Sequence, residues 1–101
     1  MEPKVKDRPA TKTTEKTKEP EQYRVILLND HYTTMEFVVE VLMVVFHKDL
    51  EESYRIMLDV HKKGKGIVGV YTWDIAATKV EQVHALAEAN DHPLKCIVEP
   101  I

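Results

Sequence analysis

From Met35 to Phe46 ten of twelve residues are apolar, the exceptions being Glu36 and Glu40. A run this apolar must be covered on nearly every side, yet it falls well short of the roughly 20 residues a membrane span needs. Thr33-Thr34-Met35-Glu36 at its start fits the S/T-x-x-E capping box, with Thr33 as the N-cap. The cap and the length together predict a mostly buried helix, although valines also suit strands. Glu36 and Glu40, four apart, fall on one stripe of that helix. The chain has 101 residues, so one small domain has to supply everything that covers it.

The covering material comes from the rest of 23–101, because composition changes abruptly at Tyr23. Residues 1–22 hold 11 charged residues and three prolines, with only Met1, Val5 and Ala10 apolar. That stretch cannot bury enough surface to offset its ordering entropy and is expected to be a disordered extension. Within 23–101, Tyr23 to Leu28 is an apolar, β-prone run ending in the turn formers Asn29-Asp30. Asp49 and Glu52 repeat the capping pattern for a second helix, about Leu50 to Lys63. Lys62 and Lys63 suit its negative end, and Gly64 suits a left-handed residue beyond it. Ile67–Tyr71 reads as a second strand. Thr72 caps a third helix with Asp74 in its first turn and Ala76, Val80, Val83 and Ala87 on one face. Asn90-Asp91-His92-Pro93 ends it, and Leu94–Glu99 is the last strand. The order βααβαβ predicts an α+β sandwich, with three helices on one face of a small three-stranded antiparallel sheet.

Charge and residue types exclude several functions. Lys plus Arg number 14 against 17 Asp plus Glu, a formal charge of −3, where a nucleic-acid clamp shows a basic excess. The single cysteine excludes an intramolecular disulfide framework and a Cys-rich zinc site. The charged start is unlike a signal peptide, and the expectation is a soluble protein of a reducing compartment, with no membrane partner. None of the five histidines forms an H-x-x-x-H pair or joins a Cys ligand set. Gly64-Lys65-Gly66 lacks the spacing of a phosphate loop. Cys96 alternates with Leu94 and Val98 in a strand, the pattern of a small buried hydrophobe. No catalytic group, metal site or cofactor is expected.

One constellation remains. Asn29-Asp30-His31 sits where the first strand ends, and Met57, Val60 and His61 share a helix face by their i, i+3, i+4 spacing. Packed together, they would form a small pocket with an apolar floor and a rim of amide, carboxylate and imidazole, all able to accept hydrogen bonds from a cation. Residue types alone leave the plainer reading open, with His61 an ordinary helix-end histidine and Asn29-Asp30 a simple turn.

At these residues the sequence resembles the ClpS-type adaptors, bacterial proteins that recognise N-degrons. The carrying stretches are Tyr23 through Val38, Met57-Leu58-Asp59-Val60-His61, Gly69-Val70-Tyr71-Thr72, Ala77-Thr78-Lys79-Val80 and His92-Pro93-Leu94. Together they cover essentially all of 23–101 in the family's order. The resemblance implies a non-enzymatic cytoplasmic adaptor that binds a substrate's first residue when it is Leu, Phe, Tyr or Trp. Delivery would then be to a ClpA-type AAA+ unfoldase working with ClpP. It implies that Asn29 and His61, with Asp30 and His31 beside them, bind the α-amine. Met35, Val38, Met57, Val60 and Leu94, with Thr33, would form the side-chain pocket, and Asp74 and Lys79 would dock the unfoldase. His31 stands where the family carries an acid, and Thr34 where it carries proline. A second reading of the same fold is a protein-docking module, resembling the ribosomal stalk protein's C-terminal domain, without an amine pocket.

Overall fold

The computed structural model describes residues 20–101. The extension expected over 1–22 therefore lies, through residue 19, outside the described residues. The elements follow the predicted order: β1 (Gln22–Leu28), α1 (Met35–Val44), α2 (Leu50–Lys63), β2 (Lys65–Thr72), α3 (Trp73–Ala89) and β3 (Lys95–Pro100). β1 is the central strand, antiparallel to β2 on one side and β3 on the other.

Alternation along β1 separates the two faces of the sheet. Val25 and Leu27 belong to one hydrophobic core with residues from all three helices, among them Val41 and Leu42, Ile56 and Val60, and Val83 and Ala87. Ile26 points the other way and lies outside that core. It is buried all the same, because Ile67 and Ile97 pair with it across both neighbouring strands. All three helices share the one core face, as the sequence pattern predicts. A register shift between Val25 and Ile26 leaves Val68 as an extra residue on β2, buried in the core.

The first cap differs from expectation. Thr34, not Thr33, is the N-cap of α1, accepting from the Phe37 N–H at 3.1 Å. Thr33 is occupied elsewhere, donating its hydroxyl to Asp30 Oδ2 at 2.7 Å. The helix also stops at Val44, two residues before Phe46, as the chain turns through His47 at φ 57°. α1 has no basic residue in its last turn; Lys79 of α3 supplies that charge, donating from Nζ to the Val45 carbonyl at 2.7 Å. α2 is capped as predicted, by Asp49 accepting from Glu52 N–H at 2.8 Å and by Gly64 at φ 90°. Thr72 occupies the N-cap position of α3 without making a side-chain cap bond.

α2 lies so close to β2 that a Cβ on Gly66 would sit 2.8 Å from Val60 Cγ2 and 3.0 Å from the Ile56 carbonyl oxygen. Only a residue without a side chain lets the helix settle onto the strand there. That close approach fixes the C-terminal turn of α2 against β2, where Gly66 pairs with Leu27 near the end of β1.

Candidate functional site

The end of β1, the loop into α1 and the last turns of α2 converge because the chain ties them together twice. The Gly64 carbonyl, just past α2, accepts the Asn29 N–H at 2.9 Å. Met57 and Val60, on the buried face of α2, pack into the same core as Val38 of α1. Between these elements opens a cavity of about 460 Å³. Asn29, Asp30, His31, Thr33, Met35, Val38, Met57, Val60 and His61 all line it, so nine of the ten residues expected at the recognition site come together. Val38, Met57 and Val60 are buried and form the apolar floor, while Asn29, His31 and His61 are exposed at the rim.

Leu94 is the exception. It is buried just before β3 and lines a separate cavity beside the end of α3, with Ala87 and His92. His92 itself stacks on Phe37 of α1 with ring centroids 4.3 Å apart. Three lining residues were not expected: Tyr32 at the mouth, Thr34 and Glu36. Its spacing from Glu40 puts Glu36 on one stripe of the helix and says nothing of a cavity. Only its position one turn from the capping loop marks it as a rim residue.

Asp30 organises the rim rather than offering itself to it. Its Oδ1 accepts from the N–H groups of Tyr32 at 2.8 Å and Thr33 at 2.7 Å, and its Oδ2 accepts from the Thr33 hydroxyl. Partial burial pushes its pKa up. The bonds from Thr33 and Tyr32, with the nearby His92 imidazole, outweigh this and hold the carboxyl below the usual carboxylate range. The free acceptors at the rim are therefore the Asn29 amide and the two imidazoles, with the Glu36 carboxylate at the edge.

The remaining expected residues fall outside the cavity. Asp74 is exposed in the first turn of α3, and Lys79 is half-buried with its ammonium on the Val45 carbonyl. Cys96 is buried, and burial pushes its thiol up to about 12. It stays protonated at neutral pH, the less reactive form of a thiol. Its N–H donates to His84 Nε2 at 3.0 Å. Among the described residues, no group of three or more His, Cys, Asp or Glu could hold a metal ion. Nor is any helix among them long and apolar enough to cross a membrane.

An α+β sandwich with one end opened into a polar-rimmed, apolar-floored cavity is a small binding module. The model of the family described as "ATP-dependent Clp protease adaptor protein ClpS" matches residues 18–97. ClpS adapters from Syntrophus aciditrophicus and Acetivibrio thermocellus are each 58% identical to it. The alignments cover 86% and 82% of this chain, and 81% and 84% of those proteins. The structure of Agrobacterium tumefaciens ClpS2 bound to L-phenylalaninamide superposes with a TM-score of 0.79 at 38% identity, covering 82% of this chain and all of that one. The chain belongs to the ClpS family of ATP-dependent Clp protease adaptors.

Proposed function

We propose that this adaptor binds the free α-amino group and large apolar side chain of an N-terminal Leu, Phe, Tyr or Trp, and delivers the substrate to a ClpA-type unfoldase for degradation by ClpP. The observation that carries this reading is the cavity's division into a buried apolar floor and a rim of uncommitted hydrogen-bond acceptors. A free N-terminal residue has the matching two parts. Its amine, with a pKa of about 7.7–8.0, is mostly cationic at neutral pH and needs acceptors, which Asn29 and His61 supply. Its side chain needs apolar cover, which Val38, Met57 and Val60 provide, with Met35 at the edge. L-phenylalaninamide, the ligand of the Agrobacterium ClpS2, combines a free amine with a phenyl ring and supports the reading.

The two halves contribute comparably. Burying a Leu or Phe side chain is worth roughly 1.5–3 kcal/mol, and each hydrogen bond to a charged group adds roughly 1.5–3 kcal/mol. Internal leucines lack the amine, so the rim confines recognition to chain ends. His31, in place of an acid, removes a negative charge near the ammonium; neutral it still accepts a bond, and protonated it opposes the ligand. The adaptor's part is binding. Unfolding and hydrolysis belong to the partner, which Asp74 and Lys79 on α3 would meet and which would engage the polar segment 1–22. The setting is the bacterial cytoplasm.

The test is a peptide titration with Leu-initiated peptides on the full chain and on His61→Ala and Asn29→Ala. Each substitution removes an exposed rim group, so the thermal midpoint should stay within a degree or two. Affinity should fall about tenfold or more, the loss of one charged hydrogen bond. Unchanged affinity in both variants would remove the amine site from these residues.

A further inference from the structure

β2 is an edge strand, and the groove beside it has a volume of about 480 Å³. One wall is the α2 stripe Arg55, Asp59 and Lys63, spaced four apart, and the other is Lys65, Gly66 and Ile67 of β2. None of these residues lines the first cavity. We infer that this groove takes an acidic, extended segment of a partner protein, which adds to β2 as a fourth strand.

The backbone along the groove is open. The Gly64 carbonyl accepts the Asn29 N–H, and bonded pairs alternate along an antiparallel ladder. In the register Leu28–Lys65, Leu27–Gly66, Ile26–Ile67, Gly66 therefore bonds to β1, while Lys65 and Ile67 turn their N–H and C=O groups outward. Among the described residues these outward groups have no hydrogen-bond partner. The opposite edge of the sheet differs. Cys96, paired with Leu27, also turns its N–H outward, but His84 Nε2 accepts it at 3.0 Å. An open edge beside a groove lined with side chains is what strand addition uses: the main chain gives affinity and the lining gives specificity.

Charge selects the occupant. Among the described residues Asp59 is the one carboxylate lining the groove, and it is divided between Arg55 at 3.7 Å and Lys63 at 3.4 Å. Glu52 holds Arg55 from outside the groove at 3.0 Å, and Lys65 has no ion pair among the described residues. The lining thus keeps a cationic excess in a chain whose formal charge is −3. Residues 1–19, with six basic and four acidic residues, carry the wrong sign to fill it. A second copy is disfavoured as well, since joining two β2 edges brings their lysines together. Ile67 is 48% exposed and offers an apolar contact on the outer face of the sheet. The segment that fits therefore alternates acidic residues toward α2 with apolar residues toward Ile67.

The probe is the peptide acetyl-Val-Glu-Val-Glu-Val-Glu-amide, whose blocked amine keeps it out of an amine site, titrated into the full chain. Replacing its three glutamates by glutamine should weaken binding about fivefold or more, the scale of two or three exposed ion pairs. On the protein side, Lys63→Gln combined with Lys65→Gln should reduce the acidic peptide to the affinity of the glutamine peptide. A Leu-initiated free-amine peptide should bind that variant as it binds the parent, so failure here is distinct from failure of the first cavity's reading. Hydrogen exchange locates the added strand: the bound acidic peptide should slow the Lys65 and Ile67 amides tenfold or more. No binding of the acidic peptide, equal affinity for its glutamine counterpart, or binding that leaves the Lys65 and Ile67 amides unprotected overturns the inference.

Discussion

Asp30 commits both carboxylate oxygens to its own loop, and this sets what the rest of the rim can do. Its three bonds hold Tyr32 and Thr33 in place and push the N-cap role onto Thr34. Because its folded pKa lies below the usual carboxylate value, the unfolded chain takes up a proton more readily than the folded one. Asp30 therefore adds stability that is fully present above about pH 4 and is lost as the pH falls through its folded pKa. Asp30→Asn should be less stable than the parent chain at pH 7, with the gap narrowing as the pH approaches 3. Urea midpoints across that range check it; a gap independent of pH would show that the charge is not what the loop uses. Thr33 illustrates what residue types conceal. Two adjacent threonines can both cap a helix, and only the position of the Asp30 carboxylate decides between them.

At the scale of elements, the first cavity depends on how α2 ends. Gly64 stands at φ 90° with ψ −16°, and a Cβ placed there would meet nothing within 4 Å. Gly64→Ala should therefore cost about 1 kcal/mol, purely conformational. Since the same residue's carbonyl holds the Asn29 N–H, peptide affinity should fall alongside stability. Denaturant unfolding and a peptide titration on one preparation test this, and unchanged values in both would contradict the coupling. The order of the elements and both ends of α2 were legible because caps, glycine and apolar spacing all act locally. Met57, Val60 and His61 could be grouped for the same reason. Leu94 lines the adjoining cavity, and strand position does not reveal which of two neighbouring cavities a buried side chain faces. The shift at Val68, the closeness of Gly66 to Val60 and the Lys79–Val45 bond depend on contacts between distant segments, and nothing in local sequence encodes them.

Across the whole molecule, the first cavity and α3 stand apart. The first cavity is lined only by residues between Asn29 and His61, and α3 contributes none of them. α3 instead closes the core through Ala76, Val83 and Ala87 and leaves Asp74 exposed in its first turn. On the proposed reading, a substrate held at the α1–α2 end leaves α3 open to a second protein, as an adaptor between a substrate and an unfoldase requires. Internal peptides carry the same leucines and phenylalanines as chain ends, so on the proposed reading the amine contact alone makes the adaptor selective. The most direct measurement is a titration near neutral pH with one peptide begun in turn by Leu, Phe, Tyr, Trp, Val or Met, each with a free and an acetylated amine. Binding of the Leu, Phe, Tyr and Trp peptides, abolished by acetylation, is the expected result. Binding that survives acetylation, or no binding by any of the free-amine peptides, would contradict it and leave a docking module without an amine pocket.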